Sequence, residues 1–148
     1  MAVQKDFKEL LELLNEKKVK YLIVGGYALA FHGAPRYTGD IDIFVKPVRK
    51  NARLVMDVLR KFGFDSLDIV ESDFEKPDMV IQLGVAPVRV DIITSLTGVS
   101  WEESYAQRKR GKFGELSASY IGKKQLIKNK KAIARKKDIA DIEALGEK

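Results

Sequence analysis

Two acids stand two positions apart in an otherwise apolar run: Asp40 and Asp42 in "DIDIFV". A third, Asp91, lies in "VRVDIITSL". Residues i and i+2 of a strand point to the same side, so Asp40 and Asp42 project together. In the second run Val88, Val90 and Ile92 share one face, and Arg89, Asp91 and Ile93 the other. A carboxylate among apolar residues is costly unless a cation meets it. If the two strands are neighbours, three carboxylates converge, and at least one stays protonated unless divalent cations sit between them. Two Mg²⁺ ions about 3.5–4 Å apart resolve the repulsion and make a phosphoryl-transfer site, one ion on the attacking hydroxyl and one on the leaving pyrophosphate. Asp40 and Asp42 would bridge both ions. Asp91 would complete the ion on the nucleophile side and accept the acceptor's proton.

Upstream, Gly25 and Gly26 follow a short apolar run and precede an Ala/Leu-rich one. A strand, two glycines and a helix leave free backbone N–H groups that a phosphate can approach closely. Taken alone, the pair reads as a tight turn. Arg36 and Thr38, just before the acid pair, are natural triphosphate contacts. The rival reading of Asp40 and Asp42 is a strand start with solvated acids. An EF-hand loop is excluded, because no further acid, glycine and terminal glutamate follow at its spacing.

The elements that must position these residues are legible from periodicity. Residues 6–17 carry apolar residues at helical spacing, with Asp6 as the cap. A strand is expected at 21–24, a short helix at 27–31 ended near Gly33 and Pro35, and a strand at 40–45 stopped by Pro47. A helix follows at 51–62, with Gly63 just past its end. Strands are expected at 67–70, 79–83 and 88–93, a helix at 102–109, a hairpin within 114–121, and helix in two pieces over 123–145. This order gives an α/β (α+β) fold, a small mixed β-sheet with helices packed mainly on one face. The 148 residues suit a single domain spanning 1–148, with a basic helical tail from about 122.

Composition narrows the chemistry. There is no cysteine, so disulfides and thiolate zinc sites are excluded, and one histidine, His32, excludes a histidine-rich metal site. Any metal is held by oxygen, which favours Mg²⁺, Mn²⁺ or Ca²⁺. His32 reads as a structural or turn-capping residue, and Trp101 and Tyr105 as core. The opening "MAVQKDFKELLELL" interleaves charges with its apolar residues and is no signal peptide; no run is long enough to span a bilayer. A cytoplasmic location is the expectation. The net charge is +6, and it is uneven: residues 104–148 hold thirteen Lys/Arg against five Asp/Glu. That stretch is either a solvated basic face or a surface for nucleotide phosphates or RNA.

The run "GGYALAFHGAPRYTGDIDIFV", followed by "VRVDIITS", resembles the nucleotidyltransferase superfamily of DNA polymerase β type. The likeness is to the minimal prokaryotic branch, including toxin–antitoxin-associated members and small antibiotic-modifying enzymes. There the stretch before D-x-D often carries R-x-T, matched by Arg36 and Thr38. The tail "LIKNKKAIARKKDIADIEAL" resembles the C-terminal helices of such members, with Lys128, Arg135, Asp138 and Asp141 on the pattern. Many members carry Gly-Ser where this chain has Gly25-Gly26. The resemblance implies Mg²⁺-dependent transfer of a nucleoside monophosphate from a nucleoside triphosphate, ATP being one candidate, with pyrophosphate released. Gly25, Gly26, Arg36 and Thr38 would hold the triphosphate, with Lys128 and Arg135 as helpers. The acceptor hydroxyl or phosphate could belong to a tRNA, a protein or a small molecule. A non-catalytic nucleotide-binding module and a toxin–antitoxin component working through a partner protein are the alternatives.

Overall fold

A computed structural model describes residues 4–35, 38–64, 68–85 and 87–147. Helix α1 (Lys5–Glu16) buries Phe7, Leu10, Leu11 and Leu14 on one face. Its cap is Gln4 rather than the expected Asp6: the Gln4 carboxamide oxygen accepts the backbone N–H groups of Asp6 and Phe7 at 2.5 and 3.2 Å. Strand β1 (Tyr21–Val24) runs directly into α2 (Gly25–Phe31), so the two glycines form the helix's first turn instead of a break before it. Strand β2 (Asp40–Val45) has the expected bounds, and α3 (Arg49–Phe62) starts two residues early. Of the strand expected at 67–70, residue 67 lies outside the described residues, and 68–70 form no strand. The chain turns instead into a single 3-10 turn, Glu71–Phe74, which buries Phe74 against the core.

Strands β3 (Val80–Leu83) and β4 (Arg89–Ile93) follow. Helix α4 (Trp101–Ala106) is shorter than expected, because Lys109 already belongs to β5 (Lys109–Phe113), which pairs with β6 (Leu116–Tyr120). Helices α5 (Lys123–Ile133) and α6 (Lys136–Ala144) are the two expected pieces. They are separated at Ala134, which adopts the left-handed conformation (φ 58°). No helix among the described residues is long and apolar enough to cross a membrane.

The six strands form one mixed sheet in the order β3-β4-β2-β1-β6-β5. Its centre fixes the site. β1 pairs antiparallel with β2, and β2 pairs parallel with β4, in a register that sets Asp42 opposite Asp91. Residues directly opposite each other point to the same side. One face of this centre therefore carries Ile23, Ile41, Ile43, Val90 and Ile92, all at most 1% exposed. On that side lies α1, whose Asn15 accepts the Tyr21 hydroxyl at 2.8 Å, and α2, whose Tyr27 meets Phe7 edge-on at 5.9 Å. The other face carries Asp40, Asp42, Phe44, Arg89 and Asp91. There α4 packs Trp101 edge-on against Phe44 at 5.0 Å.

Asn51, buried at the start of α3, ties that helix to two connections. Its Oδ1 accepts the Lys20 N–H at 2.8 Å, and its Nδ2 donates to the carbonyls of Lys20 and Lys46 at 3.0 and 3.1 Å. Asn51→Ala strands these backbone groups, and chemical denaturation is expected to show a loss of about 2 kcal/mol. A change below experimental error would mean that water replaces the amide at no cost.

Candidate active site

Asp40, Asp42 and Asp91 each offer a carboxylate oxygen, and the three oxygens lie within 4.8 Å of one another. The parallel pairing of β2 with β4 produces this meeting, and it also brings in Arg89 from beside Asp40. The Arg89 Nε lies 3.4 Å from Asp91 Oδ1 and 3.8 Å from Asp40 Oδ2. With all three carboxylates ionised, one guanidinium would leave two negative charges uncompensated.

The consequence falls on Asp42. Burial first, then the neighbouring charges of Asp40 and Asp91, push its pKa up to about 7. Burial raises Asp91 as well, against the pull of Arg89. Near neutral pH the cluster therefore holds a proton that a divalent cation would displace. Three hard oxygen donors with a deficit of two charges suit a Mg²⁺-like ion.

The glycine pair is explained by the same cluster. Gly25 has φ +67°, a conformation that L-residues rarely adopt, and a Cβ there would fall 2.0 Å from Asp42 Oδ2. Gly26 yields its space to Thr38, whose Oγ1 lies 2.7 Å from where a Cβ would sit. The Thr38 side chain thus fills the space that a side chain at position 26 would take. Its hydroxyl donates to the Asp40 carbonyl at 3.0 Å, which places it beside the acid pair. Arg36 lies outside the described residues.

A cleft of about 270 Å³ opens next to Asp42 and Gly25, closed on its far side by α5 and α6. Arg135 and Asp138 line it, as does Lys130, which sequence reasoning passed over. Lys130 is buried and reaches Asp141 at 2.9 Å and Asp138 at 3.5 Å, joining α5 to α6. Arg135 donates to both oxygens of Asp138 at 2.7 and 3.3 Å, and this holds Asp138 below the usual carboxylate range. Lys128 lies elsewhere. It pairs with Glu103 at 2.9 Å and lines a separate hollow with Lys124 and Lys131. His32 packs as a turn residue: its Nε2–H donates to the Ile121 carbonyl at 2.7 Å. Trp101 and Tyr105 stack on each other at 5.0 Å.

A mixed sheet with a glycine-opened helix and a carboxylate cluster on adjacent parallel strands is the framework of a nucleotidyltransferase. The chain belongs to the family of nucleotidyl transferases of unknown function DUF2204, which it matches over residues 3–148. No curated protein matches it. Its fold is similar to that of TM1012 from Thermotoga maritima, a protein assigned as a nucleotidyltransferase, with TM-score 0.61, 13% identity, and 95% of this chain and 88% of that one covered. It is also similar to the lincosamide antibiotic adenylyltransferase LnuA, solved with lincomycin bound, with TM-score 0.58, 15% identity, and coverage of 98% and 97%. At these identities the likeness is one of fold.

The Asp42 shift has a definite sign. A folded-state pKa raised from 3.8 to about 7 means that the folded protein holds a proton which the unfolded chain releases. This contribution is complete below about pH 4 and is lost as pH rises through about 7. Asp42→Asn removes the loss, so metal-free Tm at pH 8 is expected to rise by on the order of 5 °C. Calorimetric scans at pH 5 and pH 8 check this, and a variant equally destabilised at both pH values would contradict it.

Proposed function

We propose that this protein transfers a nucleoside monophosphate from a nucleoside triphosphate to an acceptor hydroxyl or phosphate, releases pyrophosphate, and requires Mg²⁺. The observation that supports this most is the convergence of Asp40, Asp42 and Asp91 on one face, short of two positive charges. All three carboxylates would hold the divalent ions. Bound there, such ions neutralise the triphosphate and lower the pKa of an attacking hydroxyl.

The chain's own residues do the positioning. Gly25 keeps a side chain out of the space beside Asp42, and Thr38 presents its hydroxyl next to the acid pair. Arg36, two residues before Thr38, is assigned to the triphosphate. Arg135, on the wall of the cleft, is a second cationic contact; Lys128, held by Glu103, is a more distant one. Asp91 accepts the proton of the acceptor hydroxyl as the new P–O bond forms and the bond to pyrophosphate breaks. Catalysis of this kind is mostly orientation and charge neutralisation. The lincosamide adenylyltransferase acts on a small molecule, and a hydroxyl-bearing small molecule is one acceptor class to try.

Transfer of label from α-labelled triphosphates is the direct test, run against hydroxylated small molecules, RNA and protein with Mg²⁺ present or chelated. Asp42→Asn and Asp91→Asn are each expected to cut transfer by about 10²-fold or more, a loss of about 3 kcal/mol of transition-state stabilisation. Transfer at the wild-type rate in both variants would sink the assignment.

A further inference from the structure

Five lysines surround one depression of about 460 Å³: Lys17, Lys18, Lys20, Lys46 and Lys50. They come from the turn between α1 and β1, from the end of β2 and from the start of α3. Buried Asn51 fastens these segments together through the Lys20 and Lys46 backbones. The Lys46 N–H adds a bond to the Lys20 carbonyl at 3.3 Å. The cluster is thus built by a fixed backbone network. The adjacent acid, Glu16, is directed to Lys61 at 3.6 Å. Among the described residues none of the five lysines is in an ion pair. Five uncompensated charges around one concavity repel each other and attract anions.

The depression shares walls with a further hollow, lined also by Asp78 and Glu102, that borders the carboxylate cleft. Lys46 also lines a hollow of about 640 Å³ over Phe44 and Trp101, and that hollow shares Ser95 and Leu96 with the cleft at Asp42. Asp42 and Phe44 lie on one face of β2, and Lys46 follows the end of that strand, about 13 Å beyond Asp42 at the rise of an extended chain. About four stacked nucleotides, at ~3.4 Å each, span that distance.

We infer that this depression binds the phosphodiester backbone of a nucleic acid, whose end then reaches the carboxylate site as the acceptor. A single phosphate uses two or three cations; five, brought by three segments to one concavity, suit several neighbouring phosphates of one polyanion. The acceptor role rests on the nucleotide-transfer reading, whereas the binding role does not.

Fluorescence anisotropy with a labelled RNA hairpin, a DNA duplex of equal length and inorganic polyphosphate, over a salt series, tests it. The variant Lys18→Asn/Lys20→Gln/Lys50→Gln changes exposed side chains only, and asparagine tolerates the left-handed φ of 58° at Lys18. With folding verified by circular dichroism, affinity for RNA or DNA is expected to fall at least tenfold at ~0.1 M salt, and the slope of log affinity against log salt by about 2–3. Wild-type affinity and slope in this variant overturn the proposal, whatever substitutions in α5 do. Tight binding of polyphosphate with neither nucleic acid bound overturns it as well. The two readings separate by readout: loss of transfer in Asp42→Asn tests the nucleotidyltransferase site, while the drop in nucleic-acid affinity and salt slope on substituting the lysines, measured also in the Asp42→Asn background, reports on the depression.

Discussion

The register between β2 and β4 is the constraint on which the site depends. It places Asp42 opposite Asp91, with Asp40 one pleat away. Two like charges no more than 4.8 Å apart, at an effective dielectric of about 20, repel by roughly 3 kcal/mol or more. The opposite face of the same strands opposes this. Ile41 pairs with Val90 and Ile43 with Ile92, and all four are almost fully buried. Each such residue contributes roughly 1.5–3 kcal/mol of apolar burial, so together they outweigh the repulsion. Sliding one strand by a single residue would relieve the acids only by turning that strand's two apolar residues toward the cleft. The fold therefore holds the carboxylates together at a local cost, and the raised Asp42 pKa is the form that cost takes.

The surrounding residues follow from this. Arg89 is close enough to Asp91 and Asp40 to compensate one charge, and the deficit of the other two remains. Gly25 is glycine because the Asp42 carboxylate occupies the space of its side chain, and Gly26 because Thr38 occupies its own. A site built this way is least stable when bare and ionised. It gains most from a ligand that brings two positive charges, the property expected of a centre that grips a divalent ion with a triphosphate.

The parts legible in the sequence were those governed by short-range patterns. Alternation in "DIDIFV" and "VRVDIITSL" gave both strands and the side each acid takes. Alternation is silent on which strands become neighbours, so the Asp42–Asp91 pairing came only with the parallel register of two strands separated by α3 and β3. The reasons for both glycines are contacts with Asp42 and Thr38, twelve or more residues away, and no local signal carries them. Propensity misled where tertiary contacts decide. Lys109 closes the run expected as a helix, yet the hairpin with β6 claims it. The apolar residues near 69 suit a strand, yet the chain turns so that Phe74 reaches the core. In the lysine-rich α5 a count of charge does not separate Lys130 from Lys128, but helical spacing does: Lys130 follows Leu126 by four residues and Ile127 by three and faces inward, whereas Lys128 faces Glu103.

Charge density along the chain is likewise a poor guide to charge available at the surface. The C-terminal third holds most of the excess lysine and arginine. Among the described residues three of its cations are in ion pairs: Lys128 with Glu103, Lys130 with Asp138 and Asp141, and Arg135 with Asp138. Lys130 in particular is buried, so it contributes to joining α5 and α6 more than to the outer field. The turn from α1 to β1 and the end of β2 are unremarkable in a running count of charge, because their lysines lie almost thirty residues apart. Asn51 brings them together by hydrogen bonds to backbone atoms, which depend on no charge at all. The electrostatic character of each surface is thus set by which cations the fold has already paired, and only after that by how many the sequence contains.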